Sequence, residues 1–406
     1  MTGQSVSELA HSQSVLYPQE SPAMVKKGKK SLFIGLPKEV SLQESRIALT
    51  PEAVSLLVKN GHEVVLEKGA GEAAKFSDND YSEAGAKIVY TPEEVFQSDL
   101  ILKIEPLTEK EITYLKSDQT VISTLNIPNL DRKYFERLNE KKITGIGFEL
   151  IQDKVGGLPI IRAMSEIAGN TVMLIAAELL SSVHNGRGII LGGITGVPPT
   201  KVVILGSGTV GEYAARAAHA LGAEIKVFDQ HIYRLQRIKY TIGQQIYTSI
   251  IDSETLTNEL ARADVVIGAM RAEDGLAPMV VTEEMVSRMK KNSIIIDVSI
   301  DQGGCFETSE MTTHKQPTFQ KYGVTHYCVP NIASRVAHTA SIALSNVFTP
   351  FLLKTGTIGG IEEMIFAKQW FTKGVYCYKG SLTNLPIAQR FNLRYKDLGL
   401  LIAARL

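Results

Sequence analysis

The chain has 406 residues, 44% of them hydrophobic and 21% charged, enough for two or three domains of an ordinary globular protein. Lys+Arg and Asp+Glu both number 43, so the formal net charge is zero and the basic excess expected of a nucleic-acid binder is missing. No unbroken run of 18 or more apolar residues suggests a membrane span, and Cys305, Cys328 and Cys377 form neither a CxxC pair nor a disulfide frame. A cytoplasmic, reduced protein with no metal site and no membrane insertion is expected.

Residues 1–30 read as a flexible polar extension ending in the short basic run "VKKGKK". The pattern then alternates. "SLFIGL" reads as a strand. "TPEAVSLLVKNG" reads as a helix, with Thr50 as cap, Pro51 in the first turn and Gly61 at the stop. "HEVVLEKG" is a second strand, and "TPEEVFQS" a short helix in which Glu94 pairs reciprocally with the Thr91 cap. "DLILKI" and "TVISTLNI" are further apolar strands. Such alternation predicts a parallel sheet covered on both faces. "MSEIAGNTVMLIAAELLSSV", residues 164–183, is apolar on most sides and reads as a helix buried between domains.

A second α/β unit starts near residue 200, with strands expected at "KVVILG", "EIKVFD", "DVVIGAM", "SIIIDVS" and "THYCVP". A second long apolar helix follows at 337–353. The expected fold class is α/β: two Rossmann-like domains with parallel sheets, joined by long interdomain helices. Residues 31–160 with 338–406 form a discontinuous first domain, and 161–337 the second. Within the latter, Gly206, Gly208 and Gly211 make a G-x-G-x-x-G directly after a strand and before a helix that includes Thr209 and Val210. A tight turn, close approach to a pyrophosphate and close helix–strand packing each call for one of these glycines. Asp229 closes the next strand, where an acid binds a ribose 2′-hydroxyl and disfavours a 2′-phosphate, so NAD is the expected cofactor. Nearby Gln230 and Arg234 bear on that preference. Further on, "IIIDVSIDQGGCFE" places Asp301 at a strand end, where spacing alone favours a turn-former over an acid/base.

Several stretches together resemble the alanine dehydrogenase family, which shares its fold with the NAD-binding subunit of proton-translocating transhydrogenase. They are "GLPKEVSLQESRIALTPEAV", "GHEVVLEKGAGE", "AMSEIAGN", "VVILGSGTVGEYAARAAHALGA", "DVSIDQGGCFETSE" with "TTHKQPTF", and "YCVPNIASRVAHTAS", spanning residue 32 to about 353. The resemblance implies two domains around a cleft, NAD in the second, a small amino acid or 2-oxo acid as substrate, and a homo-oligomer, usually a hexamer. It implies that Arg46 grips the substrate carboxylate, a task suited to a guanidinium fork. It places Asp301, with Ile300 before it, beside the nicotinamide, Ser165 near the nicotinamide amide and ribose, and Asn331 on a loop facing cofactor and substrate.

Two positions depart from the family. Asn126 stands where the family has a histidine, and an amide cannot carry a proton between groups as an imidazole does. The family's K-V-K-E-P-like segment is one residue shorter here, "LKIEP", so Lys103 is either the substrate-binding lysine or its non-catalytic neighbour. His326 and His338 flank the Asn331 loop and are candidate replacements, although packed or helix-initial roles suit them better; Arg162 is a further candidate for a carboxylate contact. The implied reaction is NAD-dependent oxidative deamination of L-alanine or a similar small L-amino acid, with Asp301 as main proton carrier. The rivals are a transhydrogenase α-like subunit that presents NAD(H) to a partner and a catalytically weakened NAD sensor.

Overall fold

The computed structural model describes residues 28–41, 44–127, 130–271 and 276–404. Most of the expected N-terminal extension, with the first half of the basic run "VKKGKK", lies outside them.

Two sheets organise the fold. The first draws on β1 (Phe33–Leu36), β2 (Glu63–Glu67), β3 (Lys87–Val89), β4 (Leu100–Leu102), β5 (Thr120–Ser123), β6 (Thr144–Gly147), and from the far end of the chain β14 (Val375–Tyr378) and β15 (Ser381–Leu382). Their order is β15-β14-β6-β5-β4-β1-β2-β3, parallel from β6 to β3 and antiparallel at β14 and β15. The second sheet holds β7 (Lys201–Leu205), β8 (Glu224–Asp229), β9 (Tyr247–Ile250), β10 (Val265–Gly268), β11 (Ile294–Asp297), β12 (Thr318–Lys321) and β13 (Val324–Tyr327). It runs β12-β13-β11-β10-β7-β8-β9, parallel except at β12. This is the expected α/β architecture of two Rossmann-like halves.

The central parallel strands are short apolar runs because both of their faces are covered. In β7, Val202 and Ile204 feed one core while Val203 and Leu205 feed another; in the first sheet, Ile34 and Leu36 go one way and Val65 and Ile101 the other. The sequence reading missed strands of two kinds: β14, an apolar strand far along the chain, and strands with weak apolar signals. β6 reads Thr-Gly-Ile-Gly, and β9 and β12 are edge strands with no fully buried residue.

The helix expected at 164–183 starts earlier, at Pro159, and ends at Leu180. Proline at the first turn explains the start, since its missing N–H has no partner there anyway. The second long helix runs Ala337–Thr357, past 353, with Pro350 inside it. Both are long and apolar enough on average to cross a bilayer, yet roughly half of the apolar stretch of each is buried in the fold, contributing Ala168, Val172 and Ala176 to one core and Leu344, Phe348 and Leu352 to another. Their apolarity reflects burial between layers. Glycine at position 169 lets the first of them press onto the helix Thr209–Ala220: a Cβ there would sit 2.5 Å from the Val210 carbonyl oxygen.

Capping follows the sequence with one difference. Glu94 Oε2 accepts the Thr91 backbone N–H at 3.1 Å, closing the expected reciprocal pair. Thr50 occupies the cap of helix Pro51–Lys59 but makes no cap hydrogen bond. Its hydroxyl meets Ser345 Oγ at 3.3 Å instead, because the long C-terminal helix packs directly over it.

Candidate active site

In a parallel α/β sheet, ligands bind outside the carboxyl ends of the strands. Here the residues after those ends face a common cleft of about 320 Å³. Arg46 and Glu149 line it from the first sheet's side, following β1 and β6. Val210, Met270, Arg271, Ser299, Asp301 and Asn331 line it from the second, following β7, β10, β11 and β13, while Met164 and Ser165 of the long helix form its floor.

Arg46 is buried, and a residue not singled out in the sequence holds it. Glu44 Oε1 accepts its Nε–H at 2.8 Å, and Oε2 accepts its Nη2–H at 2.6 Å. The same carboxylate takes the Arg46 backbone N–H and the Asn331 amide. Burial by itself would raise the Glu44 carboxyl, but the adjoining guanidinium and these hydrogen bonds outweigh it and hold the group below its ordinary value. With Nε and Nη2 committed, Nη1 has the Met164 sulfur at 3.3 Å and is the edge left for a ligand. Glu44 therefore ties the Arg46 loop to the Asn331 loop across the two halves.

Two aspartates in "IIIDVSID" do different work. Asp297 is fully buried and accepts hydrogen bonds from Ser299 N, Cys305 N and Ser309 Oγ, shaping the turn. Gly304 comes so close that a Cβ would lie 2.7 Å from Asp297 Oδ2. Asp301, four residues on, projects to the cleft with its carboxylate 3.5 Å from the Asn331 N–H. It is still wetted at the open mouth, but the protein crowded around it pushes its carboxyl up to about 6. Ile300 is buried beneath, and Cys305 is buried behind the turn.

Glu149 shares the cleft. Its Oε1 accepts the Leu125 N–H at 2.6 Å, and the Asn126 N–H is also turned to this carboxyl. Oε2 is buried with no hydrogen-bond partner. Burial pushes this carboxyl up to about 7. Asn126 itself is half-buried, with a φ of +42° that an asparagine tolerates, and its loop brings backbone N–H groups to Glu149. Glu105, from the shortened "LKIEP", does not line the cleft but feels the charges of Glu44, Arg46, Lys103 and Asp301; burial raises its carboxyl.

Lys103 points the other way. Its ammonium is buried in the first domain, 2.8 Å from Glu111 Oε1 and 3.5 Å from Glu39 Oε2, and it is not among the residues lining the cleft. Lys103→Met is therefore expected to lower the melting temperature sharply, because removing one member of a buried ion cluster costs about 3–5 kcal/mol. Substrate KM, read on the folded fraction, is expected to stay within about threefold. His326 is buried, hydrogen-bonded to Thr308 and Val324 and stacked on Phe319. His338 stacks on Phe76 and bonds the Ala74 carbonyl. Neither lines the cleft, and Arg162 pairs with Glu166 on the exposed helix face.

The glycine loop has the local geometry expected from its spacing. Gly206 has φ +99°, and a Cβ on it would lie 2.4 Å from the Ala269 carbonyl. A Cβ on Gly211 would overlap the Gly206 carbonyl at 1.9 Å, whereas one on Gly208 would meet nothing within 4 Å. The middle position thus opens on free space beside the N-terminus of the helix Thr209–Ala220, as close approach of a phosphate requires. Asp229 is buried. Its Oδ2 accepts from Ser207 N and Oγ, and its Oδ1 from His231 N. Burial opposes ionisation, yet these bonds prevail and keep the carboxylate charged below its usual range, so the strand end presents a fixed negative charge.

The chain matches the family models described as "Alanine dehydrogenase/PNT, N-terminal domain" over residues 35–168 and "Alanine dehydrogenase/PNT, C-terminal domain" over 172–385. It is 37% identical to "Alanine dehydrogenase 2" of Staphylococcus aureus (strain USA300) over 366 residues, 90% of this chain and 98% of that protein. Among solved structures it resembles an L-alanine dehydrogenase with a TM-score of 0.83 and 35% identity, covering 88% of this chain and 99% of that one. A transhydrogenase from Sinorhizobium meliloti shares the fold at 23% identity and a TM-score of 0.74, covering 87% and 99%.

Proposed function

The chain belongs to the alanine dehydrogenase/PNT family, and from that premise we infer that it is an amino-acid dehydrogenase. It oxidatively deaminates L-alanine, or a similarly small L-amino acid, to the 2-oxo acid and ammonium, and runs the reverse amination. The observation that carries this reading is the cleft itself: a buried, pre-oriented arginine opposite a carboxyl raised to about 6, beside a glycine loop open to a phosphate.

NAD is the proposed cofactor, and when bound it accepts the hydride released from the substrate Cα. Gly206, Gly208, Thr209, Val210 and Gly211 would hold its pyrophosphate, Asp229 its adenosine ribose, and Ser165, Ile300 and Asn331 its nicotinamide end. Arg46 would bind the substrate carboxylate through its free edge and so fix which face of the Cα meets the cofactor. Asp301 would take a proton from the water that attacks the imine. The first domain, residues 31–160 with 338–406, would thus serve the substrate, and the second, 161–337, the cofactor.

We propose further that the enzyme is cytoplasmic and a homo-oligomer, with a hexamer as the expected state. Leu174, Val183, Ile190, Ile194 and Val197 are exposed apolar side chains along the end of the long helix and the turn after it, which supports burial against another subunit.

Purified protein given NAD and a panel of L-amino acids, then NADH with pyruvate and ammonium, tests the reading. NADH formation with L-alanine and its consumption in the reverse mixture are expected. NADH binding without turnover of any amino acid would return the sensor reading.

A further inference from the structure

The cleft has a proton-carrying group that the sequence pattern did not point to. Glu149 sits in the turn Phe148–Leu150 directly after β6, at the carboxyl edge of the first sheet. It lines the same cavity as Arg46 and Asp301, reached from the first sheet whereas Asp301 follows a strand of the second. One of its oxygens is fixed by the Leu125 N–H, and the other is buried, bonded to nothing, and free to hold or give up a proton. The loop that grips it is the loop of Asn126, where this chain carries an amide that cannot titrate.

We propose that Glu149 is the proton-transfer residue on the first-domain wall of the cleft, acting on the substrate nitrogen while Asp301 acts on the attacking water. This rests on the amino-acid dehydrogenase reading above. In the oxidative direction, an N–H bond of the substrate ammonium breaks and its proton passes to the Glu149 carboxylate. With NAD bound, the hydride would leave Cα to it as the nitrogen lone pair forms the C=N bond. Water adds to that carbon, losing a proton to Asp301. Glu149 returns its proton to the nitrogen, the C–N bond breaks as the C=O forms with the carbinol O–H proton released to solvent, and the departing ammonia takes the Asp301 proton as ammonium, which restores both carboxylates.

Burial dominates the environment of Glu149. The charged and titratable groups around it are Glu105 from the loop after β4 and Tyr376 of β14, with Arg46 and Asp301 lining the same cavity. Glu105, a like charge, disfavours ionisation, as does burial, and the Leu125 and Asn126 N–H groups favour it. The balance holds the carboxyl near 7, where a group can both take and return a proton at neutral pH.

The test is steady-state oxidation of L-alanine from pH 5 to 10 by wild type, Glu149→Gln, Glu149→Asp and the double variant Glu149→Gln/Asn126→His. NADH binding by fluorescence and melting temperature are measured on each. Expected results are a fall in kcat of about 10²–10⁴-fold for Glu149→Gln with NADH affinity unchanged, loss of the break in log kcat/KM near pH 7, and intermediate activity for Glu149→Asp. Partial recovery is expected in the double variant, because a histidine restores a titratable group on the loop that grips position 149. A Glu149→Gln enzyme that keeps kcat within about threefold and retains the break overturns the assignment of Glu149 alone. If Glu149→Gln fails to fold, a Glu149→Asp enzyme with the wild-type profile overturns it equally. A folded, NADH-binding wild type that oxidises no amino acid sinks the underlying reading, and this assignment with it.

Discussion

Replacing Arg46 by glutamine is expected to abolish useful turnover and to weaken the fold at the same time. Truncating one partner of a buried, hydrogen-bonded charge pair costs about 2–5 kcal/mol of binding, so kcat/KM for L-alanine should fall by roughly 30- to 5,000-fold. The stability loss has a separate origin. Glu44 would keep the Asn331 and Ser334 contacts but lose the guanidinium that offsets its burial. The double variant Glu44→Gln/Arg46→Gln separates the two effects, since it leaves no unpaired charge. Its melting temperature should recover toward wild type while its activity stays lost. The pH dependence has a definite sign. The folded-state pKa of Glu44 lies below its ordinary 4.5, so the pair stabilises the native protein above about pH 4.5 and that advantage is lost as pH falls through the lower folded value. Melting curves of wild type and double variant should therefore converge on acidification. A double variant with restored turnover would remove Arg46 from substrate binding.

Asp301→Asn is the second large effect. A proton carrier contributes about 10²–10⁴-fold to rate, so kcat should drop by that order with NADH affinity preserved. Stability moves in the opposite direction from the Arg46 case. The folded carboxyl is raised to about 6 from an ordinary 3.8, so the native state binds the proton more tightly than the unfolded chain. Wild-type stability from this group is complete below about pH 3.8 and is lost as pH rises toward 6. The asparagine variant lacks that loss and should be at least as stable as wild type at pH 7. Rate profiles add a sharper mark. With Glu149 breaking near 7 and Asp301 near 6, log kcat/KM should fall with slope 1 below pH 7 and slope 2 below pH 6. Asp301→Asn should leave only the first break. Intact turnover in this variant would make Asp301 a turn residue and nothing more.

The two departures from the family now have a physical setting. Shortening at "LKIEP" leaves Lys103 in register with Glu111 and Glu39 inside the first domain, and it is Glu105 that senses Arg46 and Asp301. Asn126 leaves its wall of the cleft without an imidazole, but the same loop aims N–H groups at Glu149. A cleft lined by carboxyls at 149 and 301, with Glu105 in electrostatic reach of Arg46 and Asp301, favours cationic groups more than one with a lysine and a histidine would.

The sequence by itself determined the α/β alternation, the glycine loop and its acid, and the two long apolar helices. Each of these is a local pattern: buried parallel strands are apolar runs, a phosphate turn needs glycine at set intervals, and a helix sheltered on several sides is apolar around most of its surface. It placed Asp301 at a strand end, whereas the strand ends at Asp297, which shapes the turn after it and leaves Asp301 to project into the cleft. Only the tertiary structure decided which side chains meet. Glu44 and Asn331 are 287 positions apart and touch because the two sheets present their carboxyl ends to one another. Glu149 follows a strand written Thr-Gly-Ile-Gly, too weak in pattern to be seen, and the β14 that flanks this strand arrives from residue 375. Burial, and with it the proton affinity of every carboxyl in the cleft, is a property of that assembly, because desolvation depends on neighbours that the linear order does not reveal.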